Sequence, residues 1–195
     1  MIKIGIVYFS NTDVTGKLAR AACSELVNQK VLFFSHQILG AEIIEGRFIN
    51  KILMDELKTC DAIIFGSPTY MGNVAAQFKA FADATSDFWE TQDWSGKIAA
   101  GFTSGTGLNG DQASTLQYFV TLASQHGMIW VGLDAPFSNT AKGVNRLGCQ
   151  LGVTSHSLDG SAHETDIRSS KYLAHRVLTT VQKFKSGTYP IVSDL

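Results

Sequence analysis

Residues 4–18 read Ile4-Gly5-Ile6-Val7-Tyr8-Phe9-Ser10-Asn11-Thr12-Asp13-Val14-Thr15-Gly16-Lys17-Leu18. The opening apolar run is the pattern of a strand buried on both faces. A hydroxyl-rich loop, Ser10 to Gly16, interrupts it, and a helix begins at Lys17-Leu18-Ala19. A strand, a short polar loop and a helix N-terminus together form an anion pocket, because the unpaired N–H groups and the helix dipole both face the loop. Ser10, Thr12 and Thr15 add hydroxyl donors. The loop itself holds no Lys or Arg, so the pocket suits a phosphate monoester on neutral donors better than a metal-bridged triphosphate.

The same alternation repeats along the chain. Apolar runs at 30–35, 61–66, 97–103 and 128–133 read as further buried strands. Helical faces lie between them: Val14, Leu18, Ala22 and Leu26; Phe78, Phe81, Ala82 and Thr85; Leu116, Phe119, Val120 and Ala123; and Ala174, Val177, Leu178, Val181 and Phe184. Ser161 and Glu164 predict a capping box for the last helix. Leu53, Met54 and Leu57 suggest a short helix before Cys60, with loop ahead of it. Five such units in 195 residues predict one α/β domain over 1–195, a doubly wound parallel sheet of order 2-1-3-4-5 with helices on both faces. Residues 134–163 read as a long irregular segment, either functional or packed on another subunit, and 186–195 as a polar, peripheral tail.

Composition narrows the function. A formal net charge of −1 gives no footprint for nucleic acid. The first strand starts at once, leaving no room for a signal peptide, and no apolar run is long enough to span a bilayer. Three cysteines, Cys23, Cys60 and Cys149, form no CxxC pair and fit free thiols in a reducing cytoplasm. The histidines lack metal-ligand spacing, so no metal site is expected.

In the 2-1-3-4-5 order, the loops after strands 1, 3 and 4 converge at the switch point. The second loop is Gly66-Ser67-Pro68-Thr69-Tyr70-Met71-Gly72-Asn73, and the third runs from Ser104-Gly105-Thr106-Gly107-Leu108-Asn109 to Gly110. All three offer small residues, hydroxyls and peptide groups, and none clusters acids, bases or thiols. They suit a planar, hydrogen-bonding ligand with a phosphate tail, whose reactivity is its own.

These loops, with His126-Gly127-Met128 leading into strand 5, resemble the flavodoxin-fold FMN proteins, above all the WrbA-type multimeric NAD(P)H:quinone oxidoreductases. The resemblance covers nearly the whole chain. It implies FMN as cofactor, with Ser10, Asn11, Thr12, Asp13, Val14 and Thr15 around the phosphate. Pro68, Thr69, Tyr70, Met71 and Gly72 would lie along the ring, and Ser104, Gly105, Thr106, Gly107, Leu108 and Asn109 at its edge and ribityl chain. Trp89, with Tyr70, would border the nicotinamide or quinone. NAD(P)H and a small quinone-like acceptor are the implied partners, and a homodimer or homotetramer the implied assembly. A flavodoxin-type electron carrier and a non-catalytic binding module are the alternatives.

Other readings fit less well. Gly105-Thr106-Gly107-Leu108-Asn109-Gly110 spells a dinucleotide fingerprint but follows strand 4, with too little chain beyond it for two mononucleotide halves. Ser104 is one place late for a nucleophile elbow. Thr12 or Asp13 could simply cap the first helix, and Tyr70, Trp89 and Trp94 could be packing aromatics. His126 reads as a helix C-terminal residue favourable with the dipole, and Cys149 as exposed in its loop.

Overall fold

A computed structural model describes residues 1–137 and 141–187. Of the expected tail, residues 188–195 lie outside the described residues. In chain order the elements are β1 (Lys3–Tyr8), α1 (Val14–Asn28), β2 (Leu32–Gln37), β3 (Ile43–Ile44), β4 (Arg47–Phe48), α2 (Lys51–Lys58), β5 (Ala62–Tyr70), β6 (Asn73–Val74), α3 (Ala76–Ala84), β7 (Ile98–Gly105), α4 (Gln112–Gln125), β8 (Ile129–Trp130), β9 (Val153–His156) and α5 (Glu164–Lys185).

The main sheet runs β2-β1-β5-β7, all parallel, and its next position is shared. β8 pairs with the start of β7 (Ile98↔Ile129) and β9 with its end (Phe102↔Val153 to Gly105↔His156), both parallel. This is the expected 2-1-3-4-5 order with the fifth strand cut in two. Residues 128–133 therefore supply only its first half, and the stretch expected to be irregular supplies the second.

Two glycines permit the cut. A Cβ on Gly132 would run into the Gln150 carbonyl oxygen, and one on Gly152 into that of Gly101. The chain leaves and re-enters the sheet edge at these close approaches. The Leu133 N–H donates to the Gln150 carbonyl (2.9 Å), and the Trp130 indole to Leu151 (2.8 Å). Between these ends Val144, Asn145 and Cys149 are buried, so this part of the insertion is packed, and Cys149 is not exposed.

Alternation along the strands feeds two cores. Ile4, Ile6, Tyr8, Ile64 and Phe102 face α1 and α5, whereas Val7, Ile63 and Phe65 face α2, α3 and α4. The second face is aromatic: Phe65 packs against Phe78, Trp94 and Phe119 at 6.1, 6.4 and 6.0 Å between centroids. Trp94 is fully buried and is therefore a packing aromatic.

Four local expectations change. The stretch before α2 folds as a 3-10 turn and the β3–β4 hairpin. The cap of α5 is His163, whose ring accepts from Thr165 N–H (3.1 Å), in place of a Ser161 box. Phe184 is 44 % exposed although it follows the buried stripe. His126 does precede a left-handed glycine (Gly127, φ 63°), with the paired terminal hydrogen bonds of a Schellman motif. Its ring, however, is buried against Trp94 and bonded to Thr85 Oγ1 (2.8 Å), and burial lowers its pKa. A neutral ring leaves little to gain from the dipole.

The aromatic core yields a direct test. Phe65→Ala is expected to cost about 3–5 kcal/mol, whereas Ile52→Ala, on the exposed side of α2, stays within about 0.5 kcal/mol. Urea unfolding measures both.

Candidate functional site

The three loops do meet, at the carboxyl ends of β1, β5 and β7. In the first, Asp13 stands at the N-cap of α1 in the left-handed region (φ 67°), and its side chain makes no capping bond. Its carboxylate turns outward to Arg20 instead (2.6 and 3.0 Å), and that hydrogen bond lowers its pKa. Thr12 makes no cap either, so neither of the two expected caps forms. Ser10 Oγ accepts from the Gly16 N–H (3.0 Å), which leaves its own proton to donate. Gln37 Nε2 steadies the loop through the Ser10 carbonyl (3.2 Å). Ser10 thus satisfies one first-turn N–H of α1, and those of Val14 and Thr15 take no side-chain acceptor.

The first and third loops are joined by one contact: Thr15 Oγ1 and Ser104 Oγ lie 2.8 Å apart, both buried. Only one of the two protons is used between them.

The second loop is a β-hairpin. Thr69 pairs with Val74 and Tyr70 with Asn73, and the turn residues Met71 and Gly72 have φ of 49° and 76°. Two positive φ values are those of a type I′ turn, which Gly72 accepts freely and Met71 does not. Pro68 is buried in β5 opposite Ser104, so it does not end the strand. The Thr69 hydroxyl is occupied, at 2.8 Å from both Thr103 Oγ1 and Thr115 Oγ1. Tyr70 is 42 % exposed, and the Met71 side chain is fully exposed. A cleft of about 600 Å³ lined by Tyr70, Asn73, Gln77 and Lys79 adjoins this turn.

In the third loop Thr106, Gly107 and Leu108 are exposed. Asn109 Nδ2 donates to the Leu147 carbonyl (3.1 Å), and its buried Oδ1 has no partner among the described residues. The buried Nδ1 of His156, beside Gly105 in the β7–β9 register, likewise has no partner among the described residues. The chain after β9 folds back over the first loop, where Lys17 Nζ donates to the Gly160 carbonyl (2.7 Å).

Trp89 does not join this group. Gln92 Nε2 holds its carbonyl (2.7 Å) and that of Gln125 (3.0 Å), and Asp93 pairs with Lys58 (2.9 Å). These partners end α4 and α2, so the segment lies at the edge of the sheet where the strands begin. Trp89 is half exposed there. A larger cleft, about 780 Å³, runs along the flank between the β3–β4 hairpin, α2 and the end of α3, with Arg47, Met54, Lys58 and Phe88 among its walls. It shares no residue with the three loops.

Sequence reasoning missed β9, Lys17, His156 and Gln112, all of which border the site. The signal for β9 was slight: Val153 and Thr154 are β-branched and follow Gly152, but four residues carry little periodicity. Burial pushes the thiols of Cys60 (to about 11) and Cys149 up, and among the described residues no group of three or more His, Cys, Asp or Glu could hold a metal. No described helix is long and apolar enough to cross a membrane.

Thr15→Val preserves shape but leaves the buried Ser104 hydroxyl unpaired. A loss of about 1–3 kcal/mol in urea unfolding is expected, against little change for Thr12→Val at an exposed position.

Comparisons with known proteins agree with this geometry. A family model described as NADPH-dependent FMN reductase matches residues 13–142. The chain is 38% identical over 185 residues to "Flavodoxin FldP" of Pseudomonas aeruginosa, covering 91% of this chain and 95% of that one. It is 38% identical over 177 residues to an "NAD(P)H dehydrogenase (quinone)" of Syntrophus aciditrophicus, covering 84% and 87%. Among solved structures, a flavodoxin, WrbA-like protein from Agrobacterium tumefaciens superposes with a TM-score of 0.74 at 31% identity, over 94% of this chain and 99% of that one. Free N–H groups in the first turn of α1, and buried polar atoms without partners among the described residues, suit a phosphate-tailed, hydrogen-bonding ring, and the chain belongs to the NADPH-dependent FMN reductase family, as an FMN flavoprotein of the NAD(P)H dehydrogenase (quinone)-like kind.

Proposed function

We propose that this protein passes a hydride from NADH or NADPH to its flavin at N5, and then two electrons to a quinone or similar small acceptor. The first product leaves before the acceptor enters. The flavin supplies the redox chemistry when bound, and the chain supplies placement. The observation that carries the reading is the first turn of α1, whose Val14 and Thr15 N–H groups have no side-chain acceptor, joined through Thr15 and Ser104 to a third loop without acids, bases or thiols.

The backbone N–H groups of Asn11 to Thr15 and the free protons of Ser10 and of the Thr15–Ser104 pair hold the phosphate. No lysine or arginine lies within that loop. The backbone of Pro68 to Gly72 and the exposed Tyr70 ring flank the isoalloxazine. Asn109 presents an oxygen whose amide nitrogen is already engaged, so it accepts, and it suits the imide N–H of the ring edge. Gly105, Thr106, Gly107 and Leu108 offer peptide groups along the same edge. No side-chain acid or base is needed at the reacting atoms.

Within one chain Trp89 lies at the opposite edge of the sheet. A role beside the nicotinamide or quinone therefore requires Trp89 of a second copy in a homodimer or homotetramer. The exposed apolar side chains around the loops, Met71, Leu108, Phe137 and Leu158, are consistent with such a neighbour.

The second reading, a one-electron carrier, is favoured by the match to Flavodoxin FldP. A net charge of −1 gives it a weak docking field. Mixing the FMN-loaded protein with NADH or NADPH under anaerobic stopped flow separates the readings: rapid bleaching of the flavin bands is expected, and a carrier would barely react. With a quinone present, double-reciprocal plots are expected to be parallel; intersecting lines would mean that both substrates bind before the first product leaves, and would remove the ping-pong order. A protein that takes up no FMN would be a binding module on the same fold.

A further inference from the structure

Gln112, the first residue of α4, is 2 % exposed, and both ends of its amide are used. Its Oε1 accepts from the Ser155 N–H of β9 (3.1 Å), and its Nε2 donates to the Gly107 carbonyl in the middle of the third loop (2.8 Å). Its stem lies against Gly105, where an added Cβ would come within 3.3 Å of Cγ. Ser155 is anchored in turn: its hydroxyl donates to buried Asp166 Oδ2 (2.9 Å), which also takes Arg146 Nη2 (2.8 Å). A side chain from one helix thus ties the exposed span 106–108 to the half-strand created by the insertion.

We propose that Gln112 is a positioning residue for the flavin. It fixes the Gly105–Asn109 backbone in the shape that receives the ring edge, without touching the ring. This rests on the FMN reading given above. The amide is suited to the task because one end must donate to a carbonyl while the other accepts from an N–H. An apolar isostere provides neither. A carboxylate provides only the acceptor and sets a charge against the Gly107 oxygen, whereas a protonated carboxyl restores both functions. Groups that support a ligand-binding shell in this way control affinity through pre-organisation.

The test uses Gln112→Leu and Gln112→Glu in the full chain. FMN affinity is followed by fluorescence titration at pH 8 and pH 5, and amide exchange at 105–109 is measured without FMN. Gln112→Leu is expected to weaken FMN roughly tenfold or more at both pH values and to speed exchange in the loop but not in β5. Gln112→Glu is expected to behave likewise at pH 8 and to recover most of the affinity and protection at pH 5, relative to the parent at each pH. Parent-like affinity and exchange in both variants would overturn the proposal, as would a Gln112→Glu defect of equal size at both pH values. If the parent takes up no FMN, the FMN reading fails, and loop exchange in the two variants still decides whether Gln112 clamps the loop. Should one variant fail to fold, the other decides by the same readouts.

Discussion

The hydroxyl contact between Thr15 and Ser104 joins two loops that the sheet order separates. β1 and β7 are not neighbours, because β5 lies between them. A parallel sheet places its strand ends along one edge but leaves each loop to find its own shape. The 2.8 Å contact ties the start of α1 to the end of β7, so the donors of the first loop and the peptide groups of the third share one frame. Because only one proton is spent in the pair, the same contact leaves a donor for a ligand. The hairpin of the second loop completes the edge, and Thr69 locks it to β7 and α4 through Thr103 and Thr115.

The divided fifth strand gives the third loop a second support. Had residues 128–133 continued beside the whole of β7, no separate segment would reach Gly105. Instead the chain departs at Gly132, packs Val144, Asn145 and Cys149 inside, and returns at Gly152 as β9. Its end lies beside the third loop, and the turn beyond it meets α1 through Lys17 and Gly160. The insertion is therefore part of the site's scaffold, held by the buried Asp166 and its partners. A buried ion pair is weak evidence for stability by itself, and its value here is that it fixes Ser155.

Much of this was legible in the sequence. Long β-branched runs separated by helical stripes specify a doubly wound sheet, because only buried strands tolerate them, and the switch-point rule then indicates which loops matter. Residues 10–15, 68–72 and 104–109 fall where that rule places them. What escaped was set by tertiary contacts. Asp13 resembles a helix cap, yet Arg20 draws its carboxylate away. Met71 gives no hint that it will hold a left-handed backbone. Gln112 is one more polar residue at a helix start until β9 is seen beside it. Trp89 looked like a site aromatic by resemblance, but a single chain leaves it at the other edge of the sheet, and only an assembly can bring it back.

In the function proposed, the first turn of α1, with the N–H groups of Val14 and Thr15 left without a side-chain acceptor, is a phosphate cradle. The most direct measurement compares the affinity of the protein for FMN with that for riboflavin, which has the same ring and side chain without the phosphate. The account requires FMN to bind at least about a hundredfold more tightly, since a dianion on several N–H and hydroxyl donors at a helix N-terminus gains charge-assisted hydrogen bonds. Equal affinities for the two would mean that the first loop does not hold the phosphate, and the account of the site would be wrong.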